Sequence, residues 1–134
     1  MEIDELKVYQ KAMGIAEKCW NQIVNWDYLS KDTVGKQLVR AVDSIAANLS
    51  EGFGRYHYKE AKNFGYYSRG SLYETLTWLK KALNRKLMKK EDYLFLSNEL
   101  KDVSVRLNNY IRSIGKSPDN RISEDDVDYF LDQT

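Results

Sequence analysis

The chain has 134 residues, of which 43% are hydrophobic and 31% charged, a length and composition that suit one globular domain with a core of its own. One proline and one cysteine, Pro118 and Cys19, exclude a helix-breaking body and an intrachain disulfide. The formal net charge of +1 conceals an uneven distribution along the sequence. No apolar run approaches the ~18–20 residues that cross a bilayer. The opening Met1-Glu2-Ile3-Asp4-Glu5 is acidic where a signal peptide is basic. With a lone thiol that needs no oxidising compartment, these features predict a cytoplasmic protein.

A first helix is predicted from about Asp4 to Trp26. Val8, Ala12, Ile15, Cys19, Ile23 and Trp26 recur at helical spacing, while Leu6, Met13, Trp20 and Val24 occupy another side. A helix that is apolar on two sides buries both, so the second side predicts a subunit interface. After the turn Tyr28-Leu29-Ser30-Lys31-Asp32, a second helix capped by Ser30 or Asp32 is predicted to run to about Ser50. Val34, Leu38, Ala41, Val42, Ile45, Leu49 and Gly52 share its apolar face. Gln37, Arg40, Ser44, Asn48, Glu51 and Arg55 form a polar row along the edge of that face. Gly52 and Gly54 are expected to end or bend the helix through the left-handed conformation open to glycine.

A third helix is predicted from about Tyr58 to Arg85. Its seam of Ala61, Gly65, Ser68, Leu72, Thr75, Leu79 and Ala82 steps by four and three and is filled mostly by small side chains. Tyr66, Tyr67, Tyr73 and Trp78 point away from that seam. A fourth helix, from about Glu91 to Ile114, repeats the pattern with Leu96, Leu100, Val103, Leu107, Tyr110 and Ile114, and Gly115 and Pro118 mark its end. No β-type alternation competes. The expected fold class is all-α: an up-down-up-down four-helix bundle over residues 1–115, with an acidic C-terminal tail over 116–134. That tail reads equally as a short helix capped by Ser123 or as a disordered segment.

The polar row needs partners, because a buried unpaired amide or carboxylate costs about 1–3 kcal/mol. Arg69, Ser71 and Glu74 of the third helix, with Ser68, are its natural counterparts. An interhelical polar motif of Arg40, Ser44, Asn48, Glu51, Gly52, Arg55, Arg69, Ser71 and Glu74 is therefore expected to fix the register of the two helices. Asn48, Glu51, Arg55 and His57 can also be drawn as a hydrolytic site. Arg55 and His57 are too close, however, for the arginine-to-histidine spacing of some helical ribonucleases. His57 is the only histidine, and no cysteine pair, phosphate loop or nucleophile elbow occurs. Neither a catalytic residue nor a metal or cofactor is expected.

Residues 61–90 carry eight lysines and arginines against Glu74 alone, a net +7, whereas residues 115–134 carry two cations against six acids, a net −4. Lys80, Lys81, Arg85, Lys86, Lys89 and Lys90 crowd one helix end and the turn beyond it. They are the candidate nucleic-acid-binding residues, with RNA or DNA phosphates as partner.

The segment from Gln37 to Arg55, followed by Ser68-Arg69-Gly70-Ser71-Leu72-Tyr73-Glu74, resembles the signature of the four-helix-bundle proteins encoded in 23S rRNA intervening sequences. Leu6 to Ala12 resembles the start of that family, and the likeness covers roughly residues 4–114. It implies a four-helix bundle that assembles as a ring-shaped homopentamer. Relatives that serve as accessory proteins of diversity-generating retroelements bind a reverse transcriptase and nucleic acid. The resemblance thus implies either a nucleic-acid or ribosome-associated module or a scaffold for such a protein partner. Asp43 stands where the family is commonly small and neutral. The near-neutral charge also differs from the strongly basic retroelement proteins.

Overall fold

Apolar side chains spaced three and four residues apart decide which face each helix buries. In the computed structural model, which describes residues 1–116, a 3-10 turn (Ile3–Glu5) leads into α1 (Lys7–Ile23). One α-helical turn (Tyr28–Ser30) and a π-helical turn (Lys31–Gly35) run directly into α2 (Lys36–Phe53). α3 (Tyr58–Asn84) and α4 (Lys90–Ser113) complete the four long helices. No strand occurs among the described residues. The expected acidic tail and its Ser123-capped helix lie outside them.

α2 and α4 each pack against both α1 and α3, and the α2–α3 pair is the most extensive. Short connections make consecutive helices antiparallel, which gives the up-down-up-down bundle. The apolar face read from Val34 to Gly52 is buried throughout. So are the small-residue seam of α3 from Ala61 to Ala82 and the α4 series from Leu96 to Ile114. Burial also pushes the Cys19 thiol up to about 12, with the Asp43 charge adding to the effect, so this cysteine fills the core as a neutral group.

Glycine sets the helix separations. A Cβ on Gly52 would lie 2.8 Å from the Cβ of Phe64 and 3.0 Å from the carbonyl oxygen of Ala61, so α2 and α3 touch almost backbone to backbone there. A Cβ on Gly65 would come within 2.7 Å of Cγ1 of Ile111, so here an α4 side chain packs directly on the α3 backbone. The left-handed end expected at Gly52 and Gly54 does not form. Gly52 stays helical, and Gly54 has φ −80° and ψ −2°. The backbone instead turns left-handed at Gly115 (φ 83°), as expected for a helix end, and at Lys86 (φ 60°).

The second helix also begins earlier than expected. Asp27, not Ser30 or Asp32, is its cap: the Asp27 carboxylate accepts from the Ser30 amide at 3.3 Å and from the Ser30 hydroxyl at 2.5 Å. The Ser30 hydroxyl bond is the main cause that holds the Asp27 carboxyl below its ordinary range. The π turn then carries Gly35 against α1, where a Cβ would sit 2.9 Å from Cγ2 of Ile23.

Candidate nucleic-acid interface

α3 ends and α4 begins around the turn Arg85-Lys86-Leu87-Met88-Lys89, three of whose five residues are cations, with Lys80, Lys81 and Lys90 on the helix ends that flank it. Lys80, Arg85, Lys86, Lys89 and Lys90 are exposed and Lys81 is half-buried. None of the six has an ion-pair partner among the described residues. The Lys80 ammonium lies 5.5 Å from the Tyr93 ring centroid and the Lys81 ammonium 5.8 Å from that of Trp78, within the range of cation–π attraction.

Two local rules are broken in this turn. Lys86 occupies the left-handed position that ends α3: its amide donates to Leu83 at 3.0 Å while that of Leu87 donates to Ala82 at 2.9 Å. Glycine is the usual residue at such a position. Lys89 and Lys90 sit at the N-terminus of α4, where the helix dipole disfavours cations by about 0.3–1 kcal/mol each at exposed sites. Glu91 and Asp92 in the same first turn offset part of that cost. Departures of this kind tend to gather where a surface serves a purpose other than stability.

The antiparallel topology brings the α1–α2 connection to the same end of the bundle. Asp32, Thr33, Val34 and Gln37 face Trp78, Lys81 and Arg85 across a crevice of about 350 Å³. The sequence marked Asp32, Val34, Gln37, Trp78, Lys81 and Arg85 separately but not the crevice, because the π turn that brings Asp32 and Thr33 to it has no signature in residue spacing.

The expected interhelical polar motif is satisfied mostly within single helices. Ser44 donates to the carbonyl of Arg40 at 2.7 Å and Asn48 to that of Ser44 at 2.9 Å. Glu51 and Arg55 form an i,i+4 pair at 3.9 Å. Glu74 accepts from the Trp78 indole at 3.3 Å, and the Ser71 carbonyl accepts from Thr75 at 2.8 Å. Arg69 turns away from α2: it donates to Asn108 of α4 at 3.2 Å and lies over the Tyr66 ring. The physical reason is exposure. Arg40, Glu51 and Arg55 are exposed and Ser44 and Asn48 half-buried, so water and their own helix suffice. Only Arg55 reaches α3, at 4.0 Å from Glu60 and 4.9 Å from the Phe64 ring centroid. Gly52 contributes by its missing side chain.

Register is held by Ser68, which meets α2 as expected but at a backbone carbonyl, and by an α1–α4 ion pair the sequence did not mark. The buried Ser68 hydroxyl donates to the Ile45 carbonyl of α2 at 2.7 Å. Asp102 of α4 meets Lys11 of α1 at 3.0 Å and Arg106 at 3.1 Å. Desolvation alone would raise the Asp102 carboxyl, but the bonds and charges of Lys11 and Arg106 outweigh it and bring the group below its ordinary range.

The hydrolytic arrangement does not assemble. Asn48 is engaged with its own helix, and His57 has only an edge-on contact with Tyr56, its ring centroid 5.1 Å away. Among the described residues no carboxylate is hydrogen-bonded to the imidazole to orient it as a base. Among the described residues no cluster of three or more His, Cys, Asp or Glu is placed to hold a metal ion. None of the described helices is long and apolar enough to cross a membrane.

On the outer side of α1, Trp20, Val24 and Met13 are exposed, as are Tyr28 and Leu29 in the next turn. Leu6, placed on this side from the sequence, is instead buried in the core. Trp20, Ile23, Val24, Tyr28, Gly35 and Val39 line a groove of about 530 Å³, edged by Lys31, Asp32 and Lys36.

No curated protein matches the chain at a significant level. Residues 4–109 match the profile of the family described as 23S rRNA-intervening sequence protein. That span takes in all of α1, α2 and α3 and most of α4, including the Gly52 contact and the basic turn. The chain therefore belongs to the 23S rRNA-intervening sequence protein family.

Proposed function

We propose that the protein is a non-catalytic, cytoplasmic binding module that associates with RNA or DNA through the basic turn between α3 and α4. The observation that carries this reading is the set of six cations, Lys80, Lys81, Arg85, Lys86, Lys89 and Lys90, gathered without an ion pair among the described residues. Phosphates would supply the missing counter-charge, and the displaced counterions would supply most of the free energy. The expected result is salt-sensitive binding to an RNA oligonucleotide that weakens by ~10-fold or more when Lys80, Lys81, Arg85 and Lys86 are all replaced by alanine, read by fluorescence anisotropy. Unchanged affinity in that variant would remove the reading.

The exposed side of α1 supports self-association as part of the same proposal. A second copy laid on the groove of Trp20, Val24 and Tyr28 would cover apolar surface that a monomer leaves in water. The homopentamer implied by the family resemblance is the assembly we expect. Light scattering should give about five times the 15.7 kDa chain mass, and Trp20→Glu should lower it. A wild-type monomer would contradict self-association. The same groove favours one alternative, a scaffold for a protein partner such as a reverse transcriptase or a ribosomal component. Salt-resistant retention of one such protein, lost in Trp20→Glu, would favour it over nucleic acid.

A further inference from the structure

We infer that the crevice between the π turn and the end of α3 seats a single unpaired nucleotide, its base against Trp78 and its phosphate between Lys81 and Arg85. The inference rests on the nucleic-acid reading of the basic turn and assigns it a specific seat.

The crevice, about 350 Å³, falls at the small end of the range for small-molecule sites. It is floored by buried Val34 and walled by the half-buried Trp78. The Trp78 indole is oriented by its own helix, since its N–H donates to Glu74, which does not line the crevice, at 3.3 Å. A fixed aromatic face is what a base stacks on, whatever the base. The Lys81 ammonium now lies 5.8 Å from the Trp78 ring centroid. A base arriving on the ring takes that place and leaves the ammonium to the phosphate.

The charges point the same way. Arg85, Asp32 and Gln37 line the crevice, and their side chains have no hydrogen-bond or ion-pair partner among the described residues. Asp32 therefore stands unpaired opposite two cations. A bare anion would meet repulsion from that carboxylate. A nucleotide would not, because its base edge carries N–H donors and its phosphate lies at the far end. An ionised carboxylate only accepts, so it favours a base with donors on its edge, such as guanine. Thr33 is not available as a donor: its hydroxyl is committed to the Leu29 carbonyl at 2.7 Å. The two remaining polar groups, Asp32 and Gln37, are presented by the π turn and the first turn of α2, and π turns recur at binding sites.

The test is a titration of the full chain with 5′-GMP, guanosine and inorganic phosphate, followed by tryptophan fluorescence. Quenching by 5′-GMP is expected to be saturable, to need ~10-fold less ligand than guanosine, and to vanish in Trp78→Phe while the emission of Trp20 and Trp26 persists. Arg85→Ala, at an exposed position, should bring 5′-GMP down to the level of guanosine. Trp78→Leu, with all charges kept, should weaken a single-stranded RNA 12-mer by roughly 5- to 150-fold and leave the matching duplex unchanged. Should Trp78→Leu lose its cooperative thermal transition, the Trp78→Phe and Arg85→Ala arms decide alone. No quenching in the wild type, quenching retained in Trp78→Phe, or equal competition by inorganic phosphate would each overturn the seat. Failure of the basic-turn reading is distinct: Lys86→Ala/Lys89→Ala/Lys90→Ala would then bind RNA as the wild type does, with nucleotide quenching intact.

Discussion

Gly52→Leu is expected to lower stability by about 3 kcal/mol or more, enough to unfold a marginal bundle. A Cβ at this position meets the Phe64 Cβ at 2.8 Å and the Ala61 carbonyl oxygen at 3.0 Å. The second of these is backbone, so no rotamer change relieves the contact and α2 must move off α3. Gly52→Ala should cost less, about 1–2 kcal/mol, because the better helix propensity of alanine returns close to 1 kcal/mol. Gly14 and Gly70 are the controls. Both are helical and have nothing within 4 Å of a built Cβ, so alanine there should stabilise by ~0.5–1 kcal/mol. Urea midpoints at constant slope would show the opposite signs. A neutral Gly52→Leu would mean that the two helices are not held as closely as described.

Leu72→Ala is expected to cost about 2–5 kcal/mol, the range for buried leucines. Leu72 is fully buried at the middle of the α3 seam. Its nearest seam neighbours are Ser68 and Thr75, with Gly65 and Leu79 one step further along. The loss combines the transfer of the deleted carbons with the cavity left in a core shared with other large aliphatic side chains. Val105→Ala, at 51% exposure, should stay within ~0.5 kcal/mol of the parent. Equal losses at the two positions would contradict the burial pattern.

The fold was legible because the apolar spacing was both regular and honoured. Each seam residue from Val34 to Gly52, from Ala61 to Ala82 and from Leu96 to Ile114 lies in the core. Helix starts were less legible. Asp27 stands ahead of an exposed Tyr28-Leu29 pair that carries no periodicity, and the cap was displaced onto Ser30 or Asp32. The polar row was read as an interhelical lock since its spacing matches an edge, yet spacing does not say how wet that edge is. Ser44 and Asn48 bond their own helix, whereas Ser68 ties α3 to α2 through a backbone carbonyl rather than the polar row, and Asp102 ties α4 to α1 from a position where sequence shows only an ordinary polar residue. The basic cluster was visible as composition. Its geometry was not, because the left-handed Lys86 and the π turn beneath Asp32 are backbone states that side-chain pattern does not encode.

The charge distribution narrows what the basic end does. The net charge of +1 means that attraction to a polyanion must come from local density rather than from the whole molecule. The six cations lie within a stretch that is helical at both ends and share it with Tyr93 and Trp78, two rings already in contact with lysines. Charge and aromatic surface at one end of a rigid bundle are the elements of single-strand recognition.

The most direct test is the salt dependence of binding to a single-stranded RNA oligonucleotide. If all six cations meet phosphates, log K should fall against log salt with a slope of about −4, and replacing Lys80, Lys81, Arg85 and Lys86 by alanine should flatten it to about −1.5. A slope that is the same in both proteins would contradict the account, because the basic turn would then not be where the phosphates bind.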